Sequence, residues 1–288
     1  MGNQRFPEWL KKRFPNNSKY NETYNLLKKS GLSTVCENAR CPNIGECFSK
    51  KTATFLILGN VCTRGCLFCD IKIGKPGLPD PEEPKKVLSA VEKLGLNYVV
   101  ITSVTRDDLP DGGAEHFKRV INALKKLKGL KIEVLIPDFN GNTGALEKIV
   151  KAKPVVIGHN IEMVKELYGA LRPSNAQYEK SLKVLKELKI LDPDCITKSG
   201  FMVGLGETDE QISALIDDIC ATGCDILTIG QYLRPSKGRA EVKEFVCLGR
   251  FETMKQEALS KGLKTVYSGP FIRSSYRALD LYKETKHE

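Results

Sequence analysis

Short apolar runs alternate with longer segments of helical periodicity through the central part of this chain, and this alternation constrains its fold more than any other feature. Between Thr54 and about Gly230, six runs are short enough for buried strands, and each is followed by a segment with apolar residues at helical spacing. Such units form parallel sheets through right-handed crossovers. The sequence therefore predicts an α/β fold, either an open doubly wound sheet or a barrel that is not fully closed, with its functional site at the carboxyl ends of the strands.

The predicted elements of this central part can be assigned to residue ranges. The strands are Thr54–Leu58, Tyr98–Thr102, Ile132–Ile136, Val155–Ile157, Gly200–Val203 and Ile226–Ile229. The helices are Glu82–Leu94, Ala114–Leu127, Ala145–Val150, Ile161–Leu167, Tyr178–Leu188 and Asp209–Thr222. The chain after Gly230 predicts one long helical segment, Glu241–Ser260, then a short strand-like segment, Leu263–Tyr267, and a polar tail.

These patterns divide the chain into three parts. Residues 1–53 are polar, rich in lysine and irregular, and they would form an N-terminal extension that carries three cysteines. Residues 54–240 would form the α/β unit, and residues 241–288 a C-terminal helix with a tail. We expect the two flanking parts to close a site on the central unit.

The chain of 288 residues contains ten cysteines and carries a net charge of +10. The segment Met1–Phe6 opens with charge and has no apolar stretch behind it, which argues against a secretory signal. No apolar run approaches the roughly 18 to 20 residues of a membrane span. These features predict a cytoplasmic protein without a membrane partner, and in that reducing compartment cysteines are better interpreted as metal ligands than as disulfides.

Six of the cysteines form two tight triplets, Cys36-x4-Cys41-x5-Cys47 and Cys62-x3-Cys66-x2-Cys69. The second triplet follows the first predicted strand, where a site is expected, and three thiolates can bind three irons of a four-iron cluster while the fourth stays open. Zinc is the alternative, but zinc sites usually take four ligands from two pairs, and no clean second pair is present. The remaining four cysteines are interpreted as small buried side chains: Cys195, Cys220, Cys224 and Cys247.

The second triplet, Cys62-Thr-Arg-Gly-Cys66-Leu-Phe-Cys69, resembles the signature of the radical S-adenosylmethionine superfamily. The resemblance implies a [4Fe–4S] cluster on these three cysteines and S-adenosylmethionine bound to its open iron. It also implies a 5′-deoxyadenosyl radical that abstracts hydrogen from an unactivated carbon. The implied fold is a partial (β/α)6 barrel of the TIM type, in agreement with the alternation of strands and helices.

The first triplet and several motifs over residues 36–280 resemble the lipoyl synthase family. The motifs are Val104-Thr-Arg-Asp-Asp-Leu-Pro-Asp-Gly-Gly113, Pro137-Asp-Phe139, His159-Asn-Ile-Glu162, Leu171-Arg-Pro173 with Tyr178, Lys198-Ser-Gly-Phe-Met-Val-Gly-Leu-Gly-Glu207 and Gly269-Pro-Phe-Ile-Arg-Ser-Ser-Tyr276. The resemblance implies that the first triplet holds an auxiliary [4Fe–4S] cluster with a serine as its fourth ligand. We assign this ligand to Ser274, with Ser275 as the alternative; an alkoxide binds iron more weakly than a thiolate and leaves one corner labile.

The same resemblance assigns Asn160, Glu162 and Arg172 to S-adenosylmethionine, and Thr102 and Ser103, at the end of the second predicted strand, are expected to bind its amino group. An amide, a carboxylate and a guanidinium suit a ribose diol and an amino-acid carboxylate, and the two hydroxyls suit an amino group. Arg273 is predicted to position the substrate or shield the auxiliary cluster. Structural alternatives stay open, because Asn160 and Glu162 also suit caps of a helix at Ile161–Leu167, and Arg172 suits a surface ion pair.

The family resemblance predicts a sulfurtransferase that inserts two sulfur atoms, taken from the auxiliary cluster, at C6 and C8 of a protein-bound octanoyl-lysine. The implied partners are octanoylated lipoyl domains of 2-oxoacid dehydrogenases and the glycine-cleavage H protein, an electron donor such as flavodoxin or ferredoxin, and iron–sulfur carrier proteins. No nucleic-acid partner is expected.

An RNA methylthiotransferase is the alternative enzyme, and the positive charge suits it. That family spaces its first three cysteines more widely and adds a β-rich RNA-binding domain, which is not evident after Glu241. A non-catalytic zinc or iron–sulfur scaffold is a third hypothesis, and it would leave the six alternating units without a purpose.

Overall fold

The computed structural model describes residues 6–12 and 17–288. Residues 1–5 and 13–16 lie outside the described residues. They include most of Met1–Phe6, on which the prediction of no secretory signal rests, and part of the predicted extension over residues 1–53. The strands are β1 Ser33–Thr34, β2 Thr54–Ile57, β3 Val61–Cys62, β4 Lys72–Ile73, β5 Tyr98–Ser103, β6 Lys131–Leu135, β7 Val156–Gly158, β8 Thr197–Val203, β9 Ile226–Gln231 and β10 Thr265–Gly269.

The helices flank these strands along the chain. They are α1 Ser18–Lys29, α2 Val35–Asn38, α3 Ile44–Ser49, α4 Glu83–Leu94, α5 Ala114–Leu124, α6 Thr143–Lys151, α7 Lys165–Leu171, α8 Tyr178–Leu191, α9 Asp209–Cys220, α10 Leu248–Ser260 and α11 Ala278–Lys286, with 3₁₀ turns at Glu8–Leu10 and Phe139–Gly141. No helix in the described part of the chain combines the length and the apolar character that crossing a membrane requires.

One sheet of eight strands runs in the order β1-β2-β5-β6-β7-β8-β9-β10. Its neighbours pair in parallel, except for the antiparallel pair of β1 and β2. The edge strands β1 and β10 do not pair with each other in the described chain, so the barrel stays incomplete. The α/β class and the partial barrel are confirmed, and the predicted strand-like segment Leu263–Tyr267 overlaps β10, which joins the six central strands as a seventh parallel strand.

Alternate residues of the parallel strands point into the barrel, because side chains alternate between the two faces of a sheet. The register places Thr102 beside Leu135 and Gly200 beside Thr228, and all four line cavities at the carboxyl ends of the strands. The parallel topology therefore brings residues of four strands to one end of the barrel.

The opposite end of the barrel is filled by a buried polar network and by α11. The ammonium of Lys198 lies 2.9 Å from a carboxylate oxygen of Glu133, which also accepts a 2.5 Å hydrogen bond from the Tyr98 hydroxyl. Leu281 and Tyr282 of α11 join the same apolar cluster as Tyr98, and the two tyrosine ring centroids are 5.9 Å apart. In the described chain, the cavities of the barrel therefore lie at the carboxyl ends of the strands.

The predicted helix at Ile161–Leu167 is wrong in its first half, since α7 begins at Lys165. Glu162 has a φ of 76°, outside the helical region. Its N–H donates to the carbonyl of Gly200 at 3.0 Å, and its carbonyl accepts from the N–H of Met202 at 2.8 Å. These bonds to β8 hold the segment against the sheet, so Glu162 does not cap a helix.

The C-terminal part also differs from its sequence-based prediction. The predicted helix Glu241–Ser260 begins only at Leu248, because the backbone before Leu248 bonds to other elements. The N–H of Lys243 donates to Gly204 O at 2.9 Å, and the N–H of Val246 donates to Gln231 Oε1 at 2.8 Å. The predicted polar tail contains α11, which buries Ala278, Leu281 and Tyr282. These three residues have helical spacing, so the signal was present in a short amphipathic segment.

The loop that carries the second cysteine triplet is fixed by the buried guanidinium of Arg64. Its Nη1 and Nη2 atoms donate to Asp138 at 2.7 and 2.8 Å, and its Nε and Nη2 atoms donate to Asp107 at 2.8 Å each. The side chains of Arg64 and Asp138 are only 3% and 2% exposed. Burial opposes the ionisation of Asp138, but the hydrogen bonds and the charge of Arg64 outweigh it and lower the pKa of this carboxyl.

We expect Asp138→Asn to destabilise the protein by about 1–3 kcal/mol at neutral pH, because it removes a buried charged partner of Arg64 and leaves Asp107 as the remaining carboxylate. The pKa of Asp138 is lower in the folded than in the unfolded chain, so this stabilisation is complete above the unfolded value of about 3.9 and is lost as the pH falls through the folded value. Urea unfolding at neutral and acid pH would measure both effects.

The matched control is Asp80→Asn, which removes an exposed carboxylate that pairs with Lys86. We expect little change from this variant, because exposed ion pairs are screened by solvent. Equal stability of the two variants at neutral pH would contradict a structural role for the Arg64–Asp138 pair.

Candidate functional site

Two adjoining cavities, of about 390 and 210 Å³, lie at the carboxyl ends of the parallel strands. They have six lining residues in common: Val35, Phe68, Cys69, Leu135, Asn160 and Glu162. Every residue that the sequence assigns to a site lines at least one of them. We refer to them below as the larger cavity and the smaller cavity.

The first triplet lines the larger cavity from the N-terminal segment. The Thr34 hydroxyl accepts from the N–H of Glu37 and caps α2, a short helix that holds Cys36 in a buried position. Cys41 follows in a tight turn, its N–H donating to Cys36 O at 3.0 Å, and Cys47 lies on α3. Three short consecutive elements therefore bring three thiols to one wall.

The tail after β10 is joined to this wall by side chains of α3 and the residue before it. Asn43 donates through Nδ2 to the carbonyl of Phe271 at 2.7 Å. The Tyr276 hydroxyl donates to Glu46 at 3.0 Å. These contacts hold both ends of the segment that contains Arg273, Ser274 and Ser275 against the first triplet.

The tail also lies directly on the end of β9, where Gly230 leaves room for it. A Cβ atom at this position would stand 2.2 Å from the carbonyl oxygen of Ile272. The Arg273 guanidinium donates through Nη1 to Ile272 O at 2.6 Å and to Pro270 O at 3.3 Å. Burial lowers the pKa of Arg273, whereas the neighbouring Cys41 acts in the opposite direction, and no carboxylate of the described residues pairs with this arginine.

The second triplet lines the smaller cavity. Cys62 ends β3, and the N–H of Arg64 donates to its sulfur at 3.4 Å. The N–H of Leu67, between Cys66 and Cys69, donates to the carbonyl of Leu171 at 2.8 Å. The loop is thus held to α7, and it brings its three thiols to the ends of β5–β8.

The residues predicted to bind S-adenosylmethionine meet in the smaller cavity. Thr102 donates its hydroxyl to Leu135 O at 2.9 Å, which leaves its lone pairs free to accept. Asn160 donates through Nδ2 to Glu162 at 3.2 Å. Arg172 forms no ion pair with any described residue and lies over the ring of Tyr168, with its Cζ atom 5.0 Å from the centroid. The surface ion pair that the sequence left open for Arg172 is therefore not formed.

Polar atoms without a partner indicate that the smaller cavity suits a polar ligand. In the described chain, four buried side-chain atoms lack a hydrogen bond, and three of them belong to residues that line this cavity: Ser103 Oγ, His159 Nε2 and Arg172 Nε. Unpaired buried polar atoms are costly, so a ligand that bonds them would be favoured.

His159 is one of these residues, and it was not among the predicted ligands. Its Nδ1 atom lies 2.9 Å from Ile136 O, which only accepts, so Nδ1 carries the proton and Nε2 is an acceptor. Burial lowers the pKa of His159 to about 4, which keeps the ring neutral at pH 7. The histidine thus adds an acceptor to the lining of the smaller cavity.

Burial dominates the electrostatics of the thiols. It raises the pKa of Cys36 and Cys69 to about 12 and that of Cys47 to about 11. It also raises the pKa of Cys66, where the Arg172 guanidinium acts against it. Iron binds the thiolate form, so assembly of a cluster at these cysteines would release protons.

No three His, Cys, Asp or Glu side chains in the described ranges converge on a point that one metal ion could occupy. The thiols of each triplet line a cavity instead. Thiolates of a four-iron cluster bind separate irons and need not meet at one point. The chemistry of the donors and their placement around a cavity therefore suit a cluster of several irons.

Sequence reasoning missed Asp70, which links the two triplets. It follows Cys69, and its carboxylate accepts from Arg40 Nε at 2.9 Å, next to Cys41. The carboxylate also accepts from Ser236 Oγ at 2.6 Å, and that hydroxyl lowers the pKa of Asp70. The adjacency of Asp70 and Arg40 to cysteines was visible in the sequence, but their pairing was not.

Family models match two parts of the chain. The model of the radical SAM superfamily matches residues 56–219, and that of the N-terminal domain of lipoyl synthase matches residues 2–41. The first match implies a [4Fe–4S] cluster and S-adenosylmethionine as cofactors.

Relatives and a solved structure agree with these matches. The chain is 54% identical to the lipoyl synthase of Caldicellulosiruptor saccharolyticus over 96% of its own length and 97% of that protein. It is 50% identical to the lipoyl synthase of Alkaliphilus metalliredigens, over 100% of this chain and 99% of that one. The [FeFe]-hydrogenase maturase of Carboxydothermus hydrogenoformans shares the fold, with a TM-score of 0.57 and 12% identity over 93% of this chain and 78% of the maturase. The chain therefore belongs to the lipoyl synthases, a family of sulfurtransferases within the radical S-adenosylmethionine superfamily.

Proposed function

We propose that this chain inserts two sulfur atoms, at C6 and C8 of an octanoyl group that is linked to a lysine of a carrier protein. The observation that carries this proposal is the placement of the two cysteine triplets in adjoining cavities with a common wall. One alkyl chain must meet both the site that removes hydrogen and the site that supplies sulfur, and adjoining cavities bring the two within reach of one bound substrate.

The smaller cavity would hold the radical cluster on Cys62, Cys66 and Cys69, with S-adenosylmethionine beside it. When bound, these groups supply the 5′-deoxyadenosyl radical that removes hydrogen, and the auxiliary cluster supplies sulfur. Arg172 would bind the carboxylate of S-adenosylmethionine and Glu162 its ribose diol, since a guanidinium without a carboxylate ion pair in the described chain and a buried carboxylate suit these groups.

The remaining contacts to S-adenosylmethionine would come from Thr102, Ser103 and Asn160. The unpaired hydroxyl of Ser103 and the lone pairs of Thr102 support an amino group as their partner. Asn160 would contribute its side-chain amide from the boundary between the two cavities.

The larger cavity would hold the auxiliary cluster on Cys36, Cys41, Cys47 and Ser274. Arg273 supports this assignment, because a buried cation without a carboxylate partner favours a nearby anionic group such as a thiolate-bound cluster. It would shield the cluster and position the substrate. Apolar walls from Phe68, Leu135 and other residues suit an alkyl chain.

Each of the three parts of the chain would have its own role in the reaction. Residues 1–53 carry the auxiliary triplet, residues 54–240 the radical site, and residues 241–288 the segment that closes the site. Tail contacts through Phe271 and Tyr276 to the N-terminal segment support this division.

The substrates would be octanoylated lipoyl domains of 2-oxoacid dehydrogenases and the glycine-cleavage H protein. Each insertion exchanges one C–H bond for one C–S bond and spends one S-adenosylmethionine, with its electron from a donor such as flavodoxin or ferredoxin. The reaction would consume the auxiliary cluster, and iron–sulfur carrier proteins would rebuild it. We propose no nucleic-acid partner: the described chain after residue 240 contains one strand, β10, and no β-rich domain.

We expect the anaerobically reconstituted protein, given dithionite, S-adenosylmethionine and an octanoyl-lysine peptide, to yield a peptide with two more sulfurs, as the dithiol under dithionite and with two fewer hydrogens once air has oxidised it to the disulfide, together with 5′-deoxyadenosine. Mass spectrometry reads out both products. Cys66→Ala is the control, and it should form neither product because the radical cluster loses a ligand. Deoxyadenosine with an unchanged peptide would contradict the proposed substrate and direct attention to RNA.

We expect Ser274→Ala to reduce sulfur insertion by more than about tenfold while 5′-deoxyadenosine still forms, because the change removes a ligand of the auxiliary cluster only. The matched control is Ser275→Ala, which alters the neighbouring hydroxyl that lines the same cavity. A loss of insertion in Ser275→Ala, with Ser274→Ala unaffected, would assign the ligand to Ser275 instead.

A further inference from the structure

The side chain of Asn160 connects the two cavities, because it lines both of them and contacts a residue assigned to each. Its Nδ2 atom lies 2.7 Å from the Ser274 hydroxyl oxygen, and that hydroxyl lies 3.0 Å from Asn160 Oδ1. The same Nδ2 atom lies 3.2 Å from the carboxylate of Glu162. The amide and the hydroxyl thus form a closed pair, each able to donate and accept.

The surrounding backbone is shaped to hold this pair. Gly200 of β8 lies against the amide, and a Cβ atom there would stand 3.3 Å from Asn160 Oδ1 and 2.4 Å from Thr228 Oγ1. Ser274 is delivered by the tail, which Asn43 and Tyr276 fix to the N-terminal segment. Each partner is therefore positioned from its own side, and the two meet although 114 residues separate them in the chain.

The proposed function places competing demands on this pair. Ser274 binds iron as an alkoxide, which has lost its proton, so the auxiliary ligand no longer donates to Asn160 Oδ1. S-adenosylmethionine requires the same amide. Binding of iron by Ser274 and binding of S-adenosylmethionine by Asn160 are therefore each favoured once the hydrogen bond from the hydroxyl to the amide oxygen is broken.

We propose that Asn160 couples the two cofactor sites by sharing its amide between Ser274 and S-adenosylmethionine. This inference rests on the proposed function. In a chain without the auxiliary cluster, Ser274 occupies the amide and weakens the binding of S-adenosylmethionine. By thermodynamic reciprocity, bound S-adenosylmethionine favours Ser274 as an iron ligand by the same factor.

The size of the coupling follows from the one hydrogen-bonded pair that must separate. A net hydrogen bond corresponds to about a fivefold change in a dissociation constant. Asn160 acts here as a positioning residue toward Ser274, and its effect is on binding equilibria rather than on the removal of hydrogen.

The test measures the dissociation constant of S-adenosylmethionine by anaerobic equilibrium dialysis in two backgrounds. One has both clusters, and the other carries Cys36→Ala, Cys41→Ala and Cys47→Ala and keeps only the radical cluster. We expect about fivefold weaker binding in the second background. Adding Ser274→Ala there should restore tight binding, whereas Ser275→Ala should not, and in the two-cluster protein Ser274→Ala should change the affinity little.

Two outcomes would overturn the inference in distinguishable ways. Unchanged or weaker binding on adding Ser274→Ala to the radical-cluster background would show that the hydroxyl does not compete for Asn160. Equal tightening in both backgrounds would show that Ser274 never leaves Asn160 for iron, which is a failure of the proposed ligand rather than of the shared amide.

The background variant has a substitute if the triple change prevents folding. Cys41→Ala alone alters a partly exposed turn residue and leaves the buried Cys36 intact. Iron content of about four per chain would verify that only the radical cluster remains. In that background we expect the same weaker binding of S-adenosylmethionine and the same recovery on adding Ser274→Ala.

Discussion

The incomplete closure of the barrel is the constraint on which the rest of the structure depends. The first and last strands of the sheet, β1 and β10, do not meet, so the buried interior has to be covered by segments outside the repeating units. The N-terminal segment covers one side and the tail after β10 the other. Because Asn43 and Tyr276 bond these two segments to each other, covering the interior also brings the first cysteine triplet to the second.

Sequence patterns predicted the parallel strands well, since strands buried on both faces appear as short apolar runs. They failed where tertiary contacts override local preference. Glu162 lies in an apparent helix but adopts a positive φ, because its backbone bonds β8. The helix α11 escaped notice because only nine residues carry its apolar spacing, and their partner Tyr98 lies far away in the chain.

In the candidate site too, features set by neighbouring residues could be predicted, whereas contacts between distant residues could not. Cysteine spacing is local, and it identified two triplets that the fold places side by side. Pairings across the chain left no trace in one sequence: Arg64 with Asp138, Asp70 with Arg40, and Asn160 with Ser274. Such pairs depend on which strand ends adjoin in space, and the sequence predicts strand order only in outline.

The tail lies on the end of β9 over Gly230, and this arrangement has a consequence for biosynthesis. The segment that completes the larger cavity follows the barrel in the chain, so the ribosome makes the barrel first. Until the tail is released, the cavity that the first triplet lines lacks the wall that Ile272, Arg273 and Ser274 contribute. The order of synthesis thus leaves an interval in which the thiols of the nascent chain are more accessible than those of the finished protein.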